Sequence, residues 1–483
     1  MKIAERRASL EIAALTGLVG LAQLWWSWEP LHRQITTDES FTYFAVNGGL
    51  RDLAGACRAD PAMSIYYAAT FVWARLVPDS IVGLRVATFL FFVAVIALVC
   101  TVARRHRRWW AAPLALAALG TAPIIREAVV DARAAVPAAL CGVVLMLVLG
   151  RLTSTEPGRK TGRLAAAVAV LVAVTAFTHP SGLGPAGVAW LWASWLVWRR
   201  GSRGRLWLAG ALGAILLALA ANVVQVQSAD GLVKGGLAGA HQTASLLWGA
   251  NTVLAVVTIV GVATVVAFDG RRSTVTAAAT VSSVGWTTAM LLAVPLVTLF
   301  VARYLVVACV MLALAAVAVT ARQWRRGLLG VVAIACIAGG LVAHDRAPGA
   351  PSRWCDVAAD LDGHVRRGDV VVFPNGPSIT PVMACLGETR TARLLDRART
   401  LPQLTWLDRS NPRTVWRLTL DPTADIALHA LAVSDATSRV VLVRTDVRRD
   451  GLDGFVETVS RHGGTCVERI RAERGITVCT PGD

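Results

Sequence analysis

Charged residues are scarce in this chain, at 16% against 55% hydrophobic, and acids are scarcer than bases, 31 against 48. The scarcity is uneven. Apolar runs of about 18 residues or more, long enough to cross a bilayer, follow one another from the N-terminus to about residue 344. A soluble chain of 483 residues would divide into two or more domains; these runs point instead to a polytopic membrane protein. The net charge of +17 does not form a nucleic-acid-binding face. From position 345 onward 19 Lys and Arg meet 18 Asp and Glu, so nearly all the excess lies earlier, in short clusters between apolar runs. That is the signature of cytoplasmic loops, and it excludes nucleic acid as a partner.

Other absences narrow the class. No small-residue cleavage site follows the run at 10–28, although Lys2, Arg6 and Arg7 precede it, so it reads as an attached helix and not a signal peptide. No Cys/His spacing reads as a zinc site, and there is no internal repeat or low-complexity tract. The middles of the apolar runs are almost free of charge. Transporters and flippases place ionisable groups near the bilayer midplane, so that class is disfavoured. A non-enzymatic scaffold or receptor is the third class to weigh.

What is present fixes a topology. Basic clusters stand at the N-terminus, Arg104–Arg108, Arg151–Arg163, Arg199–Arg205, Arg271–Arg272 and Arg322–Arg326. Placing all of them inside requires an even number of crossings between successive clusters. The spans then fall near 10–28, 80–103, 109–125, 134–150, 164–179, 182–198, 206–226, 250–268, 275–298, 304–321 and 328–344. These are about eleven transmembrane helices, with the N-terminus cytoplasmic and the C-terminus outside. Residues 62–77 are apolar but short, and a crossing there would invert every later cluster; they read as an interfacial helix on the outer face. The expected division is a membrane part, 1–344, whose first outer loop is 29–79, and an extracytoplasmic α/β domain, 345–483. In that domain 353–367 reads as an amphipathic helix, and Gly368–Phe373 and Arg439–Val443 as buried strands. Cys355, Cys385, Cys466 and Cys479 fall there, an even number that can pair in an oxidising compartment in any of three ways. Cys466–Cys479 with Cys355–Cys385 is the favoured set, because the former would clamp neighbouring strands.

Polar groups from separate loops collect on the outer side. Asp38 and Glu39 follow the first span by about ten residues, with Phe41, Tyr43 and Phe44 immediately after. A carboxylate held near the bilayer can have its pKa raised enough to accept a proton from a hydroxyl. Arg133 lies near Asp131 and Glu127, which could satisfy it. His179 opens a His-Pro-Ser-Gly turn, where a capping role competes with a functional one. Arg303-Tyr304 is an outer pair in a region that otherwise avoids isolated bases; a helix-end arginine reaching for the interface is the competing reading. Asp60, Tyr66 and Tyr67 complete the set, tyrosine being ordinary at a membrane interface. Lys234 and His241 lie in a Gly-rich loop. No cofactor is required by these residues, although Asp38, Glu39 and Asp60 could hold a divalent cation.

The Asp-Glu pair after the first helix, the Pro61-to-Tyr67 segment and the alternating short loops resemble the GT-C membrane glycosyltransferases. The branch is similar to the protein O-mannosyltransferase / aminoarabinose transferase type, glycosyltransferase family 39. Asp131-Ala132-Arg133 resembles the family's acidic-x-Arg segment, Phe177-Thr178-His179 its Thr-His, and Ala302-Arg303-Tyr304-Leu305 its Arg-Tyr. Arg366-Arg367-Gly368-Asp369-Val370-Val371 is similar to the start of the soluble domain in bacterial members. The chain departs from the pattern at Asp60-Pro61-Ala62-Met63-Ser64-Ile65-Tyr66-Tyr67, where members often read His-Pro-Pro-Leu-Tyr-Tyr, and at Ala135, where many carry Tyr. The resemblance implies transfer of a sugar from a polyprenyl-phosphate donor to an extracytoplasmic protein, lipid or polysaccharide acceptor, with inversion. It implies Asp38 as general base, Glu39 as its orienter or an acceptor contact, and Arg303 as donor-phosphate ligand with Arg133 second. His179, Tyr304, Asp60, Tyr66 and Tyr67 would be substrate contacts. Mannose is the family default; arabinofuranose from its decaprenyl phosphate is the alternative, and a lipid transporter the non-enzymatic one.

Reporter fusions test the topology. Fusions at Arg105, Arg200 and Arg325 are expected to read cytoplasmic, and fusions at Ser40 and after Asp345 to read outside. A cytoplasmic signal from the terminal domain overturns the helix count.

Overall fold

The computed structural model describes residues 2–77, 80–105, 111–200, 204–227, 274–293, 305–318, 337, 353–373, 376–401, 430, 438–444, 453–471 and 474–480. The chain forms two compact units. One comprises Met1–Leu31, Asp60–Ala69 and Val82–Ala347; the other comprises His32–Ala59, Thr70–Ile81 and Pro348–Asp483.

The first unit is helical. Helices stand at every expected span except 250–268 and 328–344, which lie outside the described residues. Among the described residues, Ile81–Arg105 and Ala135–Ser154 are long and apolar enough, by length and composition, to cross a membrane. Ala135–Ser154 packs against Arg159–Ala176, Leu183–Arg199, Thr274–Ala293 and Val306–Ala318. Small residues let these backbones approach. A Cβ added at Gly150 would lie 2.6 Å from Val275 Cγ2, so this crossing needs glycine. Ser283 Oγ donates to the Ala308 carbonyl at 2.8 Å, a buried hydrogen bond between neighbouring helices.

Two details refine the expected spans. The run at 109–125 is not one helix: Ala111–Thr121 ends, Ala122 is extended (φ −63°, ψ 123°), and Pro123–Ala128 restarts. Pro123 has no N–H, and its ring disfavours helical backbone at the residue before it. The short segment after the first loop is a 3₁₀ turn, Pro61–Met63, followed by an 11-residue helix, Ser64–Ala74. At about 1.5 Å per residue it falls well short of the roughly 30 Å hydrocarbon core. The basic cluster at 199–205 also has a packing role. Arg200 donates to the carbonyls of Leu152, Thr153 and Thr155 at 2.8–2.9 Å, closing the C-terminus of Ala135–Ser154.

The second unit holds a five-stranded sheet of β1 (Val370–Val372), β2 (Arg399–Leu401), β3 (Val440–Arg444), β4 (Thr465–Arg471) and β5 (Arg474–Thr480), in order β2-β1-β3-β5-β4. β2, β1 and β3 are parallel, whereas β5 runs antiparallel to both β3 and β4. The central strands read as unbroken valine-rich runs because both faces are covered. Val371, Phe373, Val441 and Val443 face the helices Trp354–His364 and Gly376–Arg397. Val370, Val372, Val440 and Leu442 face the helix Asp453–Arg461 through Phe455 and Val459. Both favoured disulfides are present. Cys466 and Cys479 are register partners on β4 and β5, and Cys355–Cys385 joins the two helices of the first face.

Asp369 ties β1 to β3. Its buried carboxylate accepts from Arg366 N at 2.7 Å and from Arg439 Nη2 at 2.7 Å, with Arg439 N and Nε at 3.3 Å. Removing one member of a buried pair leaves the other charge uncompensated. Asp369→Ala is therefore expected to destabilise the second unit by about 3–5 kcal/mol. The measurement is proteolytic susceptibility of residues 348–483 across a denaturant series on the full chain, and an unchanged midpoint refutes the assignment.

Candidate functional site

Asp38 lies in the first turn of the helix Thr37–Asn47, within the second unit. The start of this helix is set by a reciprocal cap. Thr36 Oγ1 accepts from the Glu39 N–H at 3.2 Å, and Glu39 Oε2 accepts from the Thr36 N–H at 2.9 Å. Glu39 is fully buried, so its carboxylate is a structural element of the helix start. Thr36-Thr37-Asp38-Glu39 is a capping-box sequence, the signal from which this role was legible. The helix packs against Gly376–Arg397, and Phe44 joins the core under the sheet. Its C-terminal end is held as well. Arg75 donates to the Gly48 carbonyl while its guanidinium stacks 4.2 Å over the Phe71 ring.

A second group of predicted residues belongs to the first unit. Tyr67 Oη donates to Asp60 Oδ2 at 3.1 Å, and the Tyr66 and Tyr67 rings stand 5.8 Å apart. Burial, reinforced by the Asp60 carboxylate, pushes the Tyr67 phenol well above its ordinary pKa, and Arg133 pulls the other way. Tyr67 therefore remains a protonated donor toward Asp60. The three residues 60, 67 and 133 are thus electrostatic neighbours. Arg133 itself stands just ahead of the helix Ala135–Ser154.

The His179 turn adjoins this group, because Ile65 N donates to the Phe177 carbonyl at 3.2 Å. His179 is buried and caps the turn Pro180–Gly182: its Nδ1 accepts from Ser181 N at 3.2 Å and lies 2.6 Å from Ser181 Oγ. An N–H aimed at Nδ1 requires a lone pair there, so a neutral ring carries its proton on Nε2. The turn can close this tightly only with glycine. A Cβ at Gly182 would sit 2.1 Å from the Thr175 carbonyl oxygen.

Arg303 and Tyr304 lie outside the described residues, as do Lys234, His241 and the side chain of Asp38. Two further arginines of the first unit, Arg85 and Arg126 of the expected second outer loop, bind backbone carbonyls. Arg85, buried in Ile81–Arg105, donates to the Leu31 carbonyl at 2.9 Å. Its signal was a lone cation inside an apolar run. Arg126 donates to the Trp26 carbonyl at 3.0 Å, lies 5.5 Å from the Trp26 ring and 3.9 Å from Glu29. Burial lowers its pKa, opposed by Glu29 and Glu127. Among the described residues, no cluster of three or more His, Cys, Asp or Glu side chains is placed to hold a metal ion.

No protein-family model and no curated protein sequence matches the chain. Solved structures match it in fold. ArnT from Cupriavidus metallidurans, in the apo state, is similar at a TM-score of 0.54 and 13% identity, over 99% of this chain and 98% of that one. The archaeal oligosaccharyltransferase AglB from Archaeoglobus fulgidus, in complex with an inhibitory peptide and a dolichol-phosphate, is similar at a TM-score of 0.50 and 11% identity. That match covers 91% of this chain and 70% of AglB. At these identities the likeness speaks for the fold alone.

Proposed function

We propose that the chain is a membrane glycosyltransferase that moves a sugar, mannose in the simplest reading, from a polyprenyl-phosphate donor to an extracytoplasmic acceptor with inversion. The observation that carries this reading is the end-to-end fold likeness to ArnT. AglB adds the ligand class: it was solved with a dolichol-phosphate, a long isoprenoid phosphate, and with a peptide. The capped Asp38 helix on the first loop and the polar outer ends of the helical unit support the same reading.

The chemistry requires a base and a cation. Asp38 takes the proton of the acceptor hydroxyl as that oxygen bonds to the anomeric carbon. The bond from the anomeric carbon to the phosphate oxygen breaks, and the polyprenyl phosphate leaves with the electron pair. Arg303 neutralises the phosphate, with Arg133 as the second cation. Glu39 fixes the start of the helix that carries the base. Asp60, Tyr66, Tyr67 and His179 shape the surroundings of Arg133 and contact substrate.

Membranes supplied with a panel of labelled polyprenyl-phosphate sugars, mannose and arabinofuranose among them, are expected to transfer one of them. A wild-type protein that transfers none sinks the transferase reading. Asp38→Asn keeps size and hydrogen bonding but removes the proton acceptor, so turnover is expected to fall at least about 100-fold with insertion and donor binding retained. Arg303→Ala is expected to weaken donor binding too. Near-normal transfer by Asp38→Asn removes the base from Asp38.

A further inference from the structure

The stretch that carries Asp38 is anchored on both sides by side chains from the other end of the sequence. Gln34 stands two residues before the Thr36 cap. Its Oε1 accepts from the Cys355 N–H at 2.9 Å, and its Nε2 donates to Asp356 Oδ1 at 3.0 Å. Ser40 stands two residues after Asp38. Its buried hydroxyl donates to Thr380 Oγ1 at 2.8 Å. All five partners lie in the second unit. The Gln34 clamp grips the N-terminal turn of Trp354–His364, whereas Ser40 grips Gly376–Arg397. The Cys355–Cys385 disulfide ties those same two helices together.

A surface loop would need none of this. The Gln34 amide is matched donor-to-acceptor and acceptor-to-donor, so a rotated amide would lose both bonds. The buried Ser40–Thr380 pair fixes the first turn of the helix where no water can substitute. Together with the Thr36–Glu39 cap, three fixed points bracket residues 34 to 40, and Asp38 lies within the cap.

We propose that Gln34 is a positioning residue for the transfer step, seating the Asp38 helix on the disulfide-joined helix pair of the terminal segment. The inference rests on the reading of Asp38 as general base. It makes residues 353–397 a requirement for catalysis without giving them a reacting group. A base displaced by about 1 Å costs on the order of 100-fold in rate. Loosening this seat therefore acts on turnover and leaves donor recognition alone.

The test uses the full chain in membranes and the labelled polyprenyl-phosphate sugar that the wild type transfers. Gln34→Ala is expected to lower kcat about 10- to 100-fold with the donor KM within about twofold. In an Asp38→Asn background the same substitution is expected to change kcat by less than about twofold, because it acts through the residue already removed. Equal losses in both backgrounds, or an unchanged kcat for folded Gln34→Ala, overturn the proposal. If Asp38→Asn abolishes transfer while Gln34→Ala does not affect it, only the positioning role fails. If Asp38→Asn is active, the base reading itself fails and takes this inference with it.

A second pair of variants guards against misfolding. Gln34→Glu keeps the acceptor for Cys355 N–H but sets a carboxylate against Asp356, so kcat is expected to drop. Adding Asp356→Asn restores a donor opposite residue 34, and kcat is expected to return to within about threefold of wild type. Failure of Asp356→Asn to rescue Gln34→Glu counts against the clamp. Hydrogen exchange on the same variants is expected to show protection lost at residues 37–47 in Gln34→Glu and regained in the pair. Unchanged exchange in both variants overturns the seat.

Discussion

The reciprocal hydrogen bonds between Thr36 and Glu39 decide where the Asp38 helix begins, and that helix packs against Gly376–Arg397. Helices leave their first N–H groups without partners, and a buried helix start must satisfy them from side chains. Here Glu39 is buried and committed to the cap, so the neighbouring acids are not interchangeable. One fixes the backbone; the other is the candidate for chemistry. From that start, Ser40 and Phe44 lead into Gly376–Arg397 and the core beneath the sheet. A sequence segment of the first loop is thereby made part of a fold whose remaining core lies more than 300 residues later.

The arginines of the first unit divide by task in a comparable way. Those of the basic clusters are expected to orient the chain by their charge, and Arg200 closes a helix end by binding three carbonyls. Arg85 and Arg126 bind backbone carbonyls near the end of the first helix. Arg133 acts electrostatically on a buried phenol that donates to Asp60. A cation beside a carboxylate and a protonated hydroxyl is a polarised cluster in a low-dielectric setting, where charge–dipole interactions are stronger than in water.

Much of the architecture was legible because its causes are local. The basic clusters and apolar runs marked the helices, the valine runs marked β1 and β3, and the even cysteine count led to the two disulfides. The break at Ala122 was also written in the sequence, since Pro123 forbids a continuous helix, but apolar length alone masked it. The capping box at Thr36 was equally local and was passed over because attention went to the carboxylates as chemistry. Other features were not legible at all. Nothing local to Gln34 or Ser40 reveals that their partners are Cys355, Asp356 and Thr380, because such pairings are set by tertiary packing. Likewise the Tyr67–Asp60 bond could be guessed from seven-residue spacing, but the influence of Arg133 on it requires the fold.

Cys355 is where the covalent and the hydrogen-bonded parts of this arrangement meet. Its sulfur is bonded to Cys385 and its N–H is held by Gln34. Closing a loop of 30 residues removes unfolded-state entropy worth about 3–4 kcal/mol on the chain-entropy account. That stabilisation is present before any substrate arrives. A helix docked on a surface already cross-linked loses little further freedom when an acceptor binds, so its geometry need not be assembled during the reaction. On the proposal above, the terminal segment matters to transfer by holding that helix in place. Its proposed contribution is rigidity, delivered through the bonds of Gln34 and of Thr380 to the helix Thr37–Asn47.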